Sequence, residues 1–165
     1  YPDLSITENI FMGHEILSQK TRQYDWKRMN NLAAQHLKKL GVSADPRMPM
    51  SALSIAQQQI VEIAKAVSTN ARILIMDEPT AFLDLPGKYE IMNLLRELSR
   101  TGKSVVFSTH DLDIALKLTD RIWLLLKDRL VEGTPGELTA NGSLASMFGP
   151  EGAEFFSRDY LKNLL

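Results

Sequence analysis

The sequence predicts an α/β fold built around a parallel sheet. Two short apolar runs, 73–76 and 104–108, have the length and composition of buried strands, and amphipathic helical patterns lie between and around them. A strand, a helix and a second strand in that order form a right-handed crossover, which makes the two strands parallel. The 165 residues are enough for about one domain with its own core.

The composition excludes several classes of protein. The net charge of -1 argues against a general surface for nucleic acid or for an anionic membrane. The chain has no cysteine, which excludes disulfides and thiolate metal sites and agrees with a cytosolic protein. No apolar run approaches the ~18 residues of a membrane-spanning helix.

The first part of the chain is predicted to be helical. Residues 26–40 place apolar side chains three and four positions apart, with Asp25 as the N-cap and Gly41 where a helix ends. His36 lies on that apolar stripe, where a structural role is far commoner than a role as a ligand. Thr7 is expected to cap a short helix that precedes this one.

A further helix is predicted from Ile55 onward, with Ser54 as its N-cap. A serine hydroxyl and several unbonded backbone N–H groups at a helix N-terminus can bind an anion. Ser54 is therefore a candidate phosphate-binding residue. The alternative interpretation is an ordinary capped helix with no ligand.

Polar residues follow the two predicted strands. Asp77 and Glu78 come directly after 73–76, a strand predicted to be buried on both faces, and His110 follows 104–108. The carboxyl ends of parallel strands share one edge of the sheet, where open α/β sheets bind ligands. We therefore expect these three side chains to form one site, although a charged loop after a strand is the plainer alternative.

These residue types suit the transfer of a phosphoryl group to water. The first carboxylate can hold Mg²⁺ directly or through water, and the second can act as a general base towards a water molecule. A histidine beside them can hydrogen-bond a terminal phosphate oxygen. In such a reaction catalysis is mostly positioning and charge stabilisation.

The remaining elements complete the α/β pattern. Asp84 is predicted to lie in a loop, 79–86, that leads to a helix at 88–100. The elements predicted after the second strand are a helix at 112–118, a hairpin of strands at 122–126 and 129–132, and a short helix at 143–148.

The ordered motifs resemble those of the ATP-binding subunits of ABC transporters. Leu53-Ser54-Ile55-Ala56-Gln57 is similar to the signature motif, and 73–78 is similar to the Walker B motif with its catalytic glutamate. Ala81-Phe82-Leu83-Asp84 is similar to the D-loop. The resemblance implies a helical subdomain over 1–70 that carries the signature motif. It also implies a truncated P-loop NTPase core of the RecA type, with a parallel sheet, over 71–165.

The resemblance implies ATP and Mg²⁺ as cofactors and gives the residues at the strand ends their roles. Asp77 would hold Mg²⁺ through water, and Glu78 would polarise the attacking water. His110 resembles the switch histidine and would contact the γ-phosphate.

Further roles follow from the resemblance at the signature motif and the D-loop. Ser54 and Gln57 would contact the ATP that is held by the opposite subunit of a dimer, and Asp84 would couple the two sites. Ile55 and Ala56 stand where the commonest form of the signature has glycines. A Cβ at Ala56 could crowd the approach of backbone to phosphate.

The sequence contains no P-loop. Gly102-Lys103-Ser104 matches the last three positions of the P-loop motif. However, Glu97 occupies the position of the first glycine, and the three residues lead into a strand rather than a helix. We therefore interpret the chain as a piece of a longer protein, with exposed sheet edges. We expect ATP binding to be very weak and hydrolysis by this polypeptide alone to be absent.

The resemblance divides between two subgroups of importers. Residues 1–80 resemble the sugar importers, whereas 81–165 resemble importers of siderophores, haem or cobalamin. The chain is therefore expected to be a chimera joined near 77–81. Because partner proteins choose the transported substrate, either class of substrate stays open.

The resemblance also implies partners and a location. A bacterial importer subunit of this kind would pair with a second ATPase subunit and with membrane permeases, and only indirectly with a substrate-binding protein. It would lie on the cytoplasmic side of the inner membrane, and no nucleic acid is expected as a partner. The alternatives are a soluble ABC-type ATPase of DNA repair or translation, and a non-catalytic interaction fragment.

Overall fold

The computed structural model describes residues 1–147 and 149, which divide into two compact units. The first unit is Tyr1–Ser108, and the second begins at Thr109. The predicted division into 1–70 and 71–165 rests on motifs rather than on packing, and it stays a prediction.

The first unit contains four α-helices and a parallel pair of strands. Its elements are α1 (Ile6–Phe11), α2 (Trp26–Lys39), a 3₁₀ turn (Met50–Ala52), α3 (Ile55–Ser68), β1 (Ile73–Met76), α4 (Leu85–Arg100) and β2 (Ser104–Phe107). Helix α3 packs against α1, α2 and α4. Their apolar faces form a core that includes Ile6, Met29, Ile60, Ile63 and Ile91, each at most 1% exposed.

The helix starts in this unit follow side-chain capping. Asp25 caps α2 and Ser54 caps α3, as predicted, and Gly41 takes a positive φ of 80° just after α2. The prediction for α1 was wrong, because Ser5 rather than Thr7 is its N-cap and pairs with Glu8 in a capping box. Thr7 is buried instead, and its hydroxyl donates to Asn30 Oδ1 at 2.7 Å.

Strands β1 and β2 are parallel, as the order of elements predicted. Ile73 stands opposite Ser104 and Met76 opposite Phe107. The prediction that β1 is buried on both faces was wrong, since Leu74 is 2% exposed but Ile75 is 80% exposed. Successive side chains of a strand point to opposite faces, and the described residues of this unit cover only the face of Leu74.

Helix α4 begins earlier than the sequence indicated. It starts at Leu85 rather than at Lys88, because Asp84 caps it and Pro86 fits the first turn, where no backbone N–H bond is lost. Asp84 is therefore the N-cap of a helix and not a residue of an open loop.

The second unit packs helices on a β-hairpin. Its described elements are α5 (Leu112–Leu118), β3 (Ile122–Leu125), β4 (Leu130–Gly133), α6 (Pro135–Ala140) and α7 (Ser143–Met147). The hairpin is antiparallel, as predicted, and Leu124, Leu138 and Leu144 form its buried core. Phe148, the predicted end of the last helix, lies outside the described residues.

Candidate functional site

The register of β1 and β2 brings the residues that follow them side by side. Since Met76 is paired with Phe107, Asp77 and Ser108 emerge together at the carboxyl edge of the strand pair. The backbone N–H of Ser108 donates to the Met76 carbonyl at 3.0 Å, which extends the ladder by one bond. The sequence thus places two carboxylates and a hydroxyl at this edge.

The hydroxyl of Ser108 joins the two acidic residues. It accepts a hydrogen bond from the backbone N–H of Glu78 at 3.0 Å and donates one to Asp77 Oδ1 at 2.5 Å. A bond from a hydroxyl to a carboxylate is short and strong because the acceptor is charged. The hydroxyl therefore fixes the backbone of one acidic residue and the side chain of the other.

Glu78 has a left-handed backbone with φ of 47°. A non-glycine residue in that conformation costs of order 1–3 kcal/mol, and such residues cluster at functional sites. The turn is closed by a hydrogen bond from the Ala81 N–H to the Glu78 carbonyl at 2.9 Å. Pro79 and Thr80, between them, are buried. The chain therefore reverses sharply at Glu78, directly after the strand.

The pair fits a hydrated hard cation. Asp77 is exposed and Glu78 is half-buried, so water can reach both carboxylates. Over residues 1–147 and 149 no cluster of three or more histidine, cysteine or acidic side chains could enclose a metal. Mg²⁺ usually keeps several waters and takes only one or two carboxylates from the protein. A Mg²⁺ role for Asp77 stays a prediction.

Ser54 and Gln57 are bound to each other in a capping box at the start of α3. The Gln57 N–H donates to Ser54 Oγ at 3.3 Å, and the Ser54 N–H donates to Gln57 Oε1 at 3.1 Å. Ser54 and Ile55 are both exposed. This helix N-terminus is therefore ordered and open to solvent, and a phosphate role for it stays a prediction.

Ala56 faces another helix start within the same unit. Its Cβ lies 3.5 Å from the position that a Cβ on Gly87 would occupy. Gly87 is in the first turn of α4 and donates its N–H to Asp84 Oδ1 at 3.0 Å. The methyl group of Ala56 therefore packs near the first turn of α4, and Asp84 caps that turn.

His110 belongs to the second unit. It is exposed and lies in the bend between β2 and α5, whose N-cap is Asp111. The prediction that His110 joins Asp77 and Glu78 in one site stays a prediction.

Sequence reasoning missed the part played by Ser108. The signal was available, because Ser108 is the first polar residue after an apolar strand that runs parallel to β1.

Comparison with known proteins agrees with the motif assignment. A family model described as "ABC transporter" matches residues 1–81. A ribose import ATP-binding protein from Chelativorans sp. is 37% identical over 94% of this chain and 32% of its own length. The chain belongs to the ABC transporter family of ATP-binding proteins.

Other ABC relatives import different sugars. A fructose import ATP-binding protein from Bifidobacterium longum is 34% identical over 92% of this chain, and a xylose import ATP-binding protein from Geobacillus kaustophilus is 34% identical over 93%. This chain spans 30% of the length of each. The sugar relatives thus cover both halves of the chain, including the part after residue 80.

Solved structures show the ABC ATPase fold, a P-loop NTPase fold. A protein described as a metal-chelate type ABC transporter superposes with a TM-score of 0.74 and 24% identity, over 87% of this chain and 57% of that one. The cbiO1 protein from Clostridium perfringens, part of an ABC transporter complex, gives a TM-score of 0.67 at 25% identity over 93% and 61%. The predicted fold class is therefore confirmed.

Among the described residues, no helix is both long enough and apolar enough to cross a bilayer.

Proposed function

We propose that this chain is part of the ATP-hydrolysing subunit of a bacterial ABC importer, in which ATP hydrolysis drives uptake of a sugar. The observation that carries the proposal is the acidic pair at the carboxyl edge of β1, which Ser108 holds in place, in a chain of the ABC family. Two carboxylates at such an edge suit phosphoryl transfer to water.

In this proposal the two carboxylates divide the work. Asp77 holds Mg²⁺ through water, and the cation supplies charge neutralisation for the phosphates of ATP. Glu78 accepts a hydrogen bond from the attacking water. This raises the electron density on the oxygen of that water, as a general base does. His110 donates a hydrogen bond to the γ-phosphate.

The proposal gives the two helix starts roles in a dimer. The exposed N-terminus of α3, with Ser54 and Gln57, contacts the phosphates of ATP bound to the other subunit. Asp84 caps α4 and couples the two ATP sites of the dimer through the position of that helix. The subunit pairs with membrane permeases at the cytoplasmic side of the inner membrane, and a binding protein acts only indirectly.

The sugar is favoured by the relatives. The ribose, fructose and xylose import proteins match 92–94% of this chain at 34–37% identity. The likeness to a metal-chelate type transporter is at 24% identity and supports the fold alone. Uptake of a siderophore, haem or cobalamin is the second candidate, because the D-loop region at 81–86 and the switch region at 108–116 resemble those importers.

ATP hydrolysis should need a P-loop that these 165 residues do not contain. The 165 residues contain no G-x-x-x-x-G-K-[ST], so they lack the backbone nest and the lysine that hold the β- and γ-phosphates. We therefore propose that this polypeptide alone neither binds MgATP tightly nor hydrolyses it.

Calorimetry tests the proposal in two arms. MgATP is titrated into the purified chain alone and into the chain mixed with the P-loop half of a ribose import relative. Binding and hydrolysis only in the mixture support the proposal, and a Glu78→Gln chain in the same mixture should bind without hydrolysing. Hydrolysis at family rates by the chain alone, or none in a mixture that binds, would contradict it.

A further inference from the structure

We infer that Ser108 is a positioning residue for the acidic pair, because its single hydroxyl sets the relation between the metal-binding carboxylate and the water-activating carboxylate. The roles of the two carboxylates rest on the proposed function. The part played by Ser108 rests on the hydrogen bonds at the strand ends, and it can be tested separately.

The Ser108 hydroxyl is both a hydrogen-bond donor and a hydrogen-bond acceptor at the strand ends. A serine hydroxyl has one proton to donate and lone pairs to accept with. In this chain the proton goes to Asp77 Oδ1 at 2.5 Å, and a lone pair accepts the Glu78 N–H at 3.0 Å. Thirty residues separate Ser108 from Glu78, so only the pairing of β2 with β1 brings them together.

The hydrogen bond from Glu78 to the Ser108 hydroxyl stabilises a strained backbone. Glu78 stands at φ of 47°, where a residue with a Cβ is strained. The bond to Ser108 satisfies its N–H in that conformation and so favours it over an extended backbone. Without the hydroxyl we expect Glu78 to relax, which would move its carboxylate away from the strand end.

The same hydroxyl restricts the side chain of Asp77. With Oδ1 engaged by Ser108, the carboxylate has one preferred rotation, and Oδ2 is the oxygen left for a hydrated cation. Groups that orient a metal ligand typically change metal affinity by about 10- to 100-fold when they are removed. Ser108 is exposed, so its substitution leaves the core intact.

The test compares Ser108→Ala with Ser108→Thr, which keeps the hydroxyl. The control is Ser104→Ala, which removes an exposed hydroxyl at the start of β2, the strand that Ser108 follows. Two readouts are taken on the 165-residue chain by NMR. The first is the amide hydrogen exchange rate and ¹³Cα shift of Glu78, and the second is line broadening at Asp77 during titration with Mn²⁺ alone.

We expect Ser108→Ala to speed exchange at Glu78 on the order of fivefold, the contribution of one hydrogen bond. It should also shift the Glu78 ¹³Cα resonance and weaken Mn²⁺ binding about tenfold. Ser108→Thr and Ser104→Ala should leave both readouts unchanged.

The outcomes separate this inference from the proposed function. Unchanged exchange at Glu78 in Ser108→Ala would overturn the inference, as would faster exchange with unchanged Mn²⁺ affinity, because the bond would then be structural only. If Mn²⁺ fails to broaden Asp77 in the unsubstituted chain, the metal role in the proposed function is wrong, and the exchange rate and ¹³Cα shift of Glu78 alone then decide the part played by Ser108. Faster exchange at Glu78 together with weaker Mn²⁺ binding in Ser108→Ala, with normal values of both in Ser108→Thr, supports the inference and the metal role of Asp77.

Discussion

The carboxylate of Asp84 accepts a hydrogen bond from the N–H of Gly87 at 3.0 Å, and a Cβ on Gly87 would lie only 2.8 Å from the same oxygen. The cap of α4 and the absence of a side chain at Gly87 therefore depend on each other. This relationship explains why a glycine stands in the first turn of a helix, where it is otherwise unfavourable.

The first prediction concerns that pair. Gly87→Ala would normally stabilise a helix by about 0.5–1 kcal/mol, but here it should displace the cap, whose loss costs about 1 kcal/mol. We expect the free energy of unfolding to stay level or to fall. In an Asp84→Ala background the same substitution should be stabilising, and urea denaturation of the four chains measures the difference. Equal effects in both backgrounds would show that the close contact has no energetic consequence.

The second prediction separates two roles of Ser54. Ser54→Ala should lower the free energy of unfolding by about 1 kcal/mol, because the capping box is lost. Ser54→Asp should keep that stability, since aspartate caps as well as serine does. Its negative charge should nevertheless repel a phosphate at the start of α3.

Nucleotide-driven dimerisation of the chain mixed with a P-loop half, measured by light scattering, tests the phosphate role. Both Ser54 substitutions should weaken the dimer. A Ser54→Asp chain that dimerises normally would show that Ser54 is only a helix cap.

The third prediction concerns pH. Partial burial, and secondarily the charge of Lys39, lower the pKa of His36 below its ordinary value of 6.5. The unfolded chain therefore takes up a proton at higher pH than the folded chain. The stability that neutral His36 contributes is complete above pH 6.5 and is lost as the pH falls through its lowered pKa.

Urea denaturation at pH 7.5 and at pH 5.5 should show this loss, and His36→Gln should reduce it. The ring resonances of His36 give its pKa directly by NMR, and Lys39→Gln should raise that pKa. A His36 pKa at or above 6.5 would contradict the prediction.

The fourth prediction tests the core of the second unit. Gly133, at the end of β4, is buried, and a Cβ there would lie 3.0 Å from Cγ of the fully buried Leu138. Gly133→Ala should destabilise the unit by about 1–3 kcal/mol, the usual effect of overpacking. Gly136→Ala is the matched control, because its Cβ would meet nothing within 4 Å. Equal thermal shifts for the two variants would exclude the contact as the cause.

The fifth prediction concerns an exposed ion pair. Hydrogen bonds from Arg47 lower the pKa of the Asp45 carboxyl to about 2. Arg47→Gln should return that pKa towards 3.8, and NMR titration of the side-chain carboxyl measures it. Arg47→Lys is the control for charge, because it keeps the cation but loses the planar donor pair.

Local sequence signals determined most of the secondary structure. Caps such as Asp25 and Ser54, apolar periodicity and the order of strand and helix gave the helices, the parallel pair β1–β2 and the hairpin. These signals act between residues close in sequence, so they can be recognised without the fold. They failed at Thr7, since Ser5 two residues earlier caps α1, and at the start of α4, which Asp84 caps before the predicted start.

The sequence by itself also determined the family, because motif residues in a fixed order can be recognised without coordinates. Only the tertiary structure decided how the acidic pair is held. The hydroxyl of Ser108, the left-handed backbone of Glu78 and the exposed face of β1 all depend on strands or helices distant in sequence. Side chains thirty residues apart meet through strand register and packing, and no local pattern encodes that meeting.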